Sequence, residues 1–165
     1  MSTTAKVSKQ RELMQRKFVD ALGDAVINHS EYDERPLKID ITEPIRTKLI
    51  VYLFPATHPP GGRNPNEYKF NLAVPNQERG QKGNFDDSEG IVILASYEED
   101  LDVYVLYDPD KHKNFAYNAN VQCKSSLLFD ALDNKVAYAT KNNGEVLMAS
   151  RPEYLLQALR HRLFD

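Results

Sequence analysis

The sequence predicts a mainly β, α+β domain: an antiparallel sheet or partly open barrel with a few helices. Three observations carry this. Four segments within about sixty residues (Thr47–Thr57, Glu67–Val74, Gly90–Tyr97 and Leu101–Asp108) are apolar runs or alternating stretches rich in β-branched and aromatic residues. No strand–helix–strand alternation links them, which argues against a doubly wound parallel sheet. The chain of 165 residues is 41% hydrophobic, with 9 Tyr and 7 Phe, enough for one ordinary core.

The elements follow in order. From Ser8 to His29, Leu13, Met14, Phe18, Ala21, Leu22, Ala25 and Val26 recur at three- and four-residue spacings, which predicts an amphipathic helix packed on the core. "HSEYDERP" breaks that pattern with charge and a proline, and "LKIDI" is a short alternating strand. "TKLIVYLFPAT" is near-continuously apolar, "EYKFNLAV" alternates, "GIVILASY" is apolar again, and "LDVYVLYD" mixes β-branched and aromatic residues. "SSLLFDALD" has helical spacing behind a serine, and "KVAYATKNNGEVLMAS" reads as a hairpin turning at Asn142, Asn143 and Gly144. "RPEYLLQALRHRLF" closes the chain as a helix with Pro152 in its first turn. Three loops remain: "HPPGGRNPN", "PNQERGQKGNFDDSEG" and "PDKHKNFAYNAN", longer than a tight hairpin needs.

Composition bounds the setting. Cys123 is the one cysteine and forms no internal disulfide, and no apolar run approaches the roughly 18 residues of a membrane span. "MSTTAKVSKQ" lacks the apolar core of a secretory signal, so a cytoplasmic protein with no membrane partner is expected. The net charge of −3 argues against indiscriminate coating of nucleic acid, and its distribution says more. Phe85–Asp110 holds nine acids and no Lys or Arg, Lys111–Ser126 holds three lysines and no acid, and His58–Asn84 sets four cations against two acids. Two mildly basic segments bracket an acidic one, which would face solvent.

The chemistry follows from those segments. His29, His58, His112 and His161 are scattered without ligand spacing, so no metal site and no cofactor is implied, and nucleophile-elbow, phosphate-loop and dinucleotide motifs are missing. Gly61-Gly62-Arg63 fits turn chemistry. Arg reads guanine with two hydrogen bonds, Asn and Gln read adenine, Lys holds phosphates, and Tyr stacks or donates. Arg63, Asn64, Asn66 and Lys69 on one loop supply such a set, and Lys111, Lys113, Asn114, Tyr117, Asn118, Asn120, Gln122 and Lys124 supply it on another. Arg79 and Lys82 add cations between them. An enzymatic alternative uses the same strand. Gln122 and Lys124, two apart on one face, with Asp102 or Asp108 upstream, resemble the acid and Gln-x-Lys arrangement of Mrr-type nucleases that work with Mg²⁺, and Glu67-Tyr68-Lys69 resembles its Glu-x-Lys half. A third class is a protein-interaction domain working through the Ser8–His29 helix.

The order of "GRNPNEYKFNL", "SYEEDLDVYVLYDP", "FAYNANVQCKSSLL" and "NNGEVLMASRPEYLLQAL" resembles the DNA-reading domains of bacterial restriction endonucleases and methylation-associated proteins. The layout is similar to the B-three-type pseudobarrel of EcoRII and LlaJI, and covers about residues 46–165, leaving 1–45 as an N-terminal helix and lead-in strand. The resemblance implies an open antiparallel seven-stranded pseudobarrel whose two recognition arms, here His58–Lys69 and Lys111–Ser125, grip the major groove. It implies a sequence- or modification-specific module for double-stranded DNA in a restriction-modification or defence system. That module has no catalysis of its own and works beside a nuclease or translocase domain or subunit.

Overall fold

The computed structural model describes residues 4–58 and 66–164. In chain order the elements are β1 (Ala5–Lys6), α1 (Lys9–Leu22), β2 (Val26–His29), β3 (Glu34–Arg35), β4 (Leu37–Ile41), β5 (Thr47–Pro55), β6 (Glu67–Leu72), β7 (Lys82–Gly83), β8 (Ile91–Glu98), β9 (Val103–Tyr107), β10 (Phe115–Ala116), β11 (Ala119–Lys124), α2 (Ser125–Asp133), β12 (Ala137–Thr140), β13 (Val146–Ser150) and α3 (Leu155–Phe164). The architecture is mainly β with three α-helices, as the sequence predicts.

Seven strands form one sheet in the order β12-β13-β9-β8-β5-β4-β2. One expectation needs correction. The sheet is mixed, because β5 and β8 run parallel with Leu49 opposite Ile91 and Pro55 opposite Tyr97. It is open, as expected, with β2 and β12 as edges that do not pair with each other, and the pseudobarrel is matched only in part. The parallel pair follows from what lies between its strands. β6 and β7 leave the sheet after β5, and the chain re-enters as β8 from the same end.

The predicted helix from Ser8 to His29 is shorter. Ser8 caps it by accepting from the Arg11 amide at 3.3 Å, and Gly23 ends it at φ 57°, a conformation that costs glycine least. Val26, expected on the helix, begins β2 after a single 3-10 turn at Gly23–Ala25. The hairpin forms as expected, with the Gly144 amide donating to Lys141 O at 2.9 Å and Gly144 at φ 89°.

Both faces of the sheet are covered. On one, Phe18, Leu22, Leu155 and Leu159 from α1 and α3 pack against Leu37, Ile39, Leu49, Val51, Ile93 and Leu106. On the other, Leu127, Leu128 and Ala131 from α2 join Phe70, Leu72, Val121 and Cys123 over Ile50, Tyr52, Phe54, Val105 and Tyr107. That burial on two sides explains why β5, β8 and β9 read as unbroken apolar runs rather than alternating ones.

β6 reads differently and ends elsewhere. β8 takes one side of β5 and β4 the other as far as Val51. Past the strand, Thr57 exchanges two backbone hydrogen bonds with Lys69, and otherwise β6 pairs with β11 as an antiparallel ribbon laid on the sheet. Phe70 stacks on Phe54 with ring centroids 4.8 Å apart and meets Tyr107 edge-on at 5.4 Å. Phe70→Ala should therefore destabilise the chain by about 3–5 kcal/mol. The adjacent Asn71→Ala, on the outward face, should change stability by no more than about 0.5 kcal/mol. Urea unfolding of the two variants checks this, and equal losses would mean that the ribbon is not seated by its inner face.

Candidate nucleic-acid interface

The ribbon carries the candidate site. Its register sets Ala119 opposite Leu72, Asn120 opposite Asn71, Val121 opposite Phe70, Gln122 opposite Lys69, Cys123 opposite Tyr68 and Lys124 opposite Glu67. Side chains alternate along each strand, so pairing fixes which set faces the sheet. Phe70, Leu72, Val121 and Cys123 are buried against it. Burial pushes the Cys123 thiol up to about 11, which keeps it neutral beneath the ribbon. Lys69, Asn71, Asn120, Gln122 and Lys124 form the opposite, outward face, with Glu67 as its one acid. Among the described residues, the side chains of these five make no hydrogen bond or ion pair within the chain. Amides and ammonium groups held on a rigid two-stranded platform without internal partners are free to recognise something else.

Of the two expected arms, the stretches Glu67–Lys69 and Gln122–Lys124 are paired with each other in this ribbon. Gln122 and Lys124 share a face, as their spacing predicts, and Lys69 joins them across the ribbon. Asn71 belongs to this face and was missing from the sequence-derived set. The alternation in "EYKFNL" carries its signal, since Asn71 lies two residues beyond Lys69. Arg63 and Asn64 lie outside the described residues.

The remaining candidates sit around the ribbon's ends and sides. Asn66 accepts the Ser125 amide on its carbonyl at 2.7 Å, at the end where Lys124 leads into α2. At the other end, exposed Tyr117 and Asn118 (φ 60°) turn the chain from β10 into β11. β10 pairs with β7, setting Ala116 opposite Lys82 and so bringing Lys82 beside that turn. Arg79 lies in the exposed turn before β7, held by the Gln81 amide donating to Glu78 O at 3.0 Å. Asn114 does not project freely: its amide donates to Asn84 Oδ1 and its side chain accepts from Asn84 Nδ2, both at 2.9 Å.

Lys111 reaches the hairpin before β13, whereas Lys113 lies beside the loop that leads into β8. Lys111 Nζ donates to the Asn143 carbonyl at 3.2 Å, and Lys113 lies 3.9 Å from Asp110 in an exposed pair. The hairpin turn that Lys111 touches stands beside β11. Between them is a cavity of about 550 Å³ bordered by Asn120, Gln122, Lys124, Lys141 and Asn143.

That turn is anchored by an acid the sequence reading did not single out. Glu145 is fully buried; its Oε2 takes His112 Nε2 at 2.8 Å and the Asp108 amide at 3.1 Å, and Lys141 Nζ lies 3.8 Å from Oε1. Burial pushes the Glu145 carboxyl up, but His112, the Asp108 amide and Lys141 together outweigh it and hold the group below the usual carboxylate range.

The acidic span has a structural use. Asp86 accepts from the Ser88 amide at 3.0 Å, Glu98 from the Leu101 amide at 2.7 Å, and Asp108 from the Asp110 amide at 3.0 Å, so these acids close turns between strands. Glu89 pairs with Lys38 at 2.6 Å, and Asp102 accepts from the Tyr97 hydroxyl. The expected solvent face is therefore corrected for Glu98, which is buried and, with Asp100, helps raise the Tyr68 hydroxyl after burial itself. Asp108, the acid of the nuclease alternative, spends one carboxylate oxygen on its turn. Among the described residues no three His, Cys, Asp or Glu side chains cluster to hold a metal ion, and no helix is long and apolar enough to cross a membrane.

A family-model match sets this mainly β domain in the restriction-modification-associated class. The family model of methylase-associated X1 matches residues 47–159, more than half of the chain, and the chain belongs to that family. No curated protein and no solved structure matches it.

The depressed Glu145 carboxyl carries a pH dependence. Its folded value lies below the unfolded one, so its contribution to stability is complete above the unfolded value, about 4.3, and is lost as pH falls through the folded value. The stability difference between the wild type and Glu145→Gln should be constant near neutrality and shrink on acidification below that point. Chemical denaturation across a pH series reads it, and a difference independent of pH would remove Glu145 as the anchor of the turn.

Proposed function

We propose that this chain is a DNA-binding module of a restriction-modification or defence system, reading double-stranded DNA in the major groove and performing no catalysis itself. The outward face of the β6–β11 ribbon is the observation that carries the reading. B-DNA's major groove, about 12 Å wide, admits a two-stranded β-ribbon, whose strands lie about 4.8 Å apart. Six residues of strand cover about 17 Å, roughly half a turn of the duplex. Asn71, Asn120 and Gln122 carry both donor and acceptor on one planar group, the pattern that pairs with adenine N6 and N7. Lys69 and Lys124 flank them with charge.

Membership of a methylase-associated family supports the setting, since methylation and the reading of its sites belong to one system. Its nuclease or translocase would be another domain or subunit. Discrimination of a methylated from an unmethylated base in the groove is compatible with the same face, because the major groove displays the substituents at which bases differ.

Selection from a random duplex library with the full chain should return a preferred sequence. Gln122→Ala and Asn120→Ala should each lower the preference for it over a scrambled duplex by about 1–3 kcal/mol. Equal loss on both duplexes would mean that these amides hold backbone and read nothing, and no shift of any duplex would sink the reading.

A second expectation separates binding from catalysis. Supercoiled plasmid incubated with the chain and Mg²⁺ or Mn²⁺ should remain intact. Nicking that vanishes in Lys124→Ala would replace the binding module with the nuclease built on Asp108, Gln122 and Lys124.

A further inference from the structure

Lys124, and Lys111 through the Asn143 turn, stand on the β11 side of the ribbon. The β6 side is served by two arginines from the N-terminal segment. Arg11 of α1 is half-buried: its Nη2 donates to the Leu53 carbonyl at 2.6 Å and its guanidinium lies over the Phe54 ring at 5.1 Å. Its Nε is closed to solvent and has no hydrogen-bond partner. Arg35 of β3 is in the same state, half-buried with an inaccessible, unpartnered Nε. Neither forms an ion pair among the described residues. Burial lowers Arg11 to about 10, with Arg35 pushing the same way. Burial also lowers Arg35.

Two guanidinium groups drawn partly out of water, near enough to repel and without a counter-charge, are an arrangement that an arriving anion relieves. The planar fork of arginine matches a phosphate, and here its remaining N–H groups have nothing else to bind. Position adds the second argument. Arg11 borders a cavity of about 260 Å³ with Thr57, Lys69 and Asn71, so it opens onto the β6 half of the ribbon's outward face. Gln15, one helical turn after Arg11, donates to the Glu34 carbonyl at 2.8 Å, which holds the neighbouring Arg35 beside α1. A ribbon in a major groove has a phosphate backbone on each side of it. Lys124 and Lys111 stand on the β11 side, and the arginines complete the β6 side.

We propose that Arg11 and Arg35 form a phosphate-binding site along the β6 edge of the ribbon, with Lys69 beside it, which takes a backbone phosphate of the bound duplex. As a duplex contact it rests on the ribbon reading; as a phosphate site it stands on the unpaired arginines alone. It fixes the position of the duplex and reads no base.

The test uses the full chain as Arg11→Gln, Arg35→Gln and Arg35→Lys, each first shown to unfold cooperatively. Arg35→Lys keeps the charge and loses the fork, and stands in where a glutamine variant does not fold. Inorganic phosphate is titrated against chloride at matched ionic strength, following the arginine Nε–H signals by NMR. Affinities for the preferred and a scrambled duplex are then measured over a salt series. Phosphate should move the Arg11 and Arg35 signals. Each glutamine variant should weaken both duplexes by the same factor and flatten the log K against log salt slope by about 0.9, leaving their ratio unchanged, unlike Gln122→Ala. Arginine signals that move with phosphate in a chain that shifts no duplex would sink the ribbon reading and keep the site, for a free phosphate. Unmoved signals together with an unchanged salt slope would overturn the site and leave the ribbon reading standing.

Discussion

Everything outward on this molecule depends on the seating of Phe70, Leu72, Val121 and Cys123 on the second face of the sheet. A strand alternates sides with period two, and a slip of one residue would exchange the buried set for the exposed one. Moving Phe70 out and Lys69 in would strip the Phe54 and Tyr107 rings of their cover and bury an ammonium without a partner, so the register is strongly fixed. The same constraint therefore decides that Lys69, Asn71, Asn120, Gln122 and Lys124 stand together and away from the core. No interaction among those five is needed to assemble them. The outward face is organised by what lies beneath it.

The surface beneath the ribbon is the apolar middle of the sheet, where β5 and β8 are buried on both faces with α1 and α3 behind them. β4 pairs with β5 only as far as Val51, and beyond the strand Thr57 bonds Lys69 of β6, so β6 meets the sheet at one bridge and takes its main partner elsewhere. β11 is that partner, and the loops that carry the chain across the face end in turns closed by Asp86, Glu98 and Asp108. The dense run of acids is thus bound up with making tight turns at the ends of the sheet. Of the three lysines that follow, Lys124 serves the ribbon and Lys111 the hairpin beside it.

Much of this was legible in the sequence, and the limits are physical. The apolar runs of β5, β8 and β9 mark strands but carry no direction, so a parallel pair inside an otherwise antiparallel sheet left no trace in them. Gly23 signals a helix end, yet Val26 continues the helical spacing by coincidence, and the periodicity carried the predicted helix past its stop. Alternation in "EYKFNL" and in "NVQCK" names strands with one buried and one exposed face. Their pairing with each other is long-range in sequence, which no local pattern encodes. Arg11 falls within the predicted helix and Arg35 within the predicted break, and neither segment marks a shared site. Only the fold brings α1 and β3 to the ribbon's side. Glu145 looked like a turn residue, and its burial against His112 joins segments more than thirty residues apart, a contact that no local pattern encodes.

The low overall charge is consistent with this arrangement. A net charge of −3 gives weak long-range attraction to a polyanion, so on the proposed reading affinity would come from a few well-placed cations rather than from a basic surface. Acids closing turns contribute to that sum, but those whose oxygens accept backbone amides have their charge partly compensated where it sits. Cations beside the ribbon are treated in the opposite way: Lys69 and Lys124 have no internal partner, and Arg11 and Arg35 are partly withheld from water without one. Lys69 and Lys124 stand on the outward face of one ribbon and Arg11 borders its β6 side. On the proposed reading, these are the positions that the backbones of a duplex would approach.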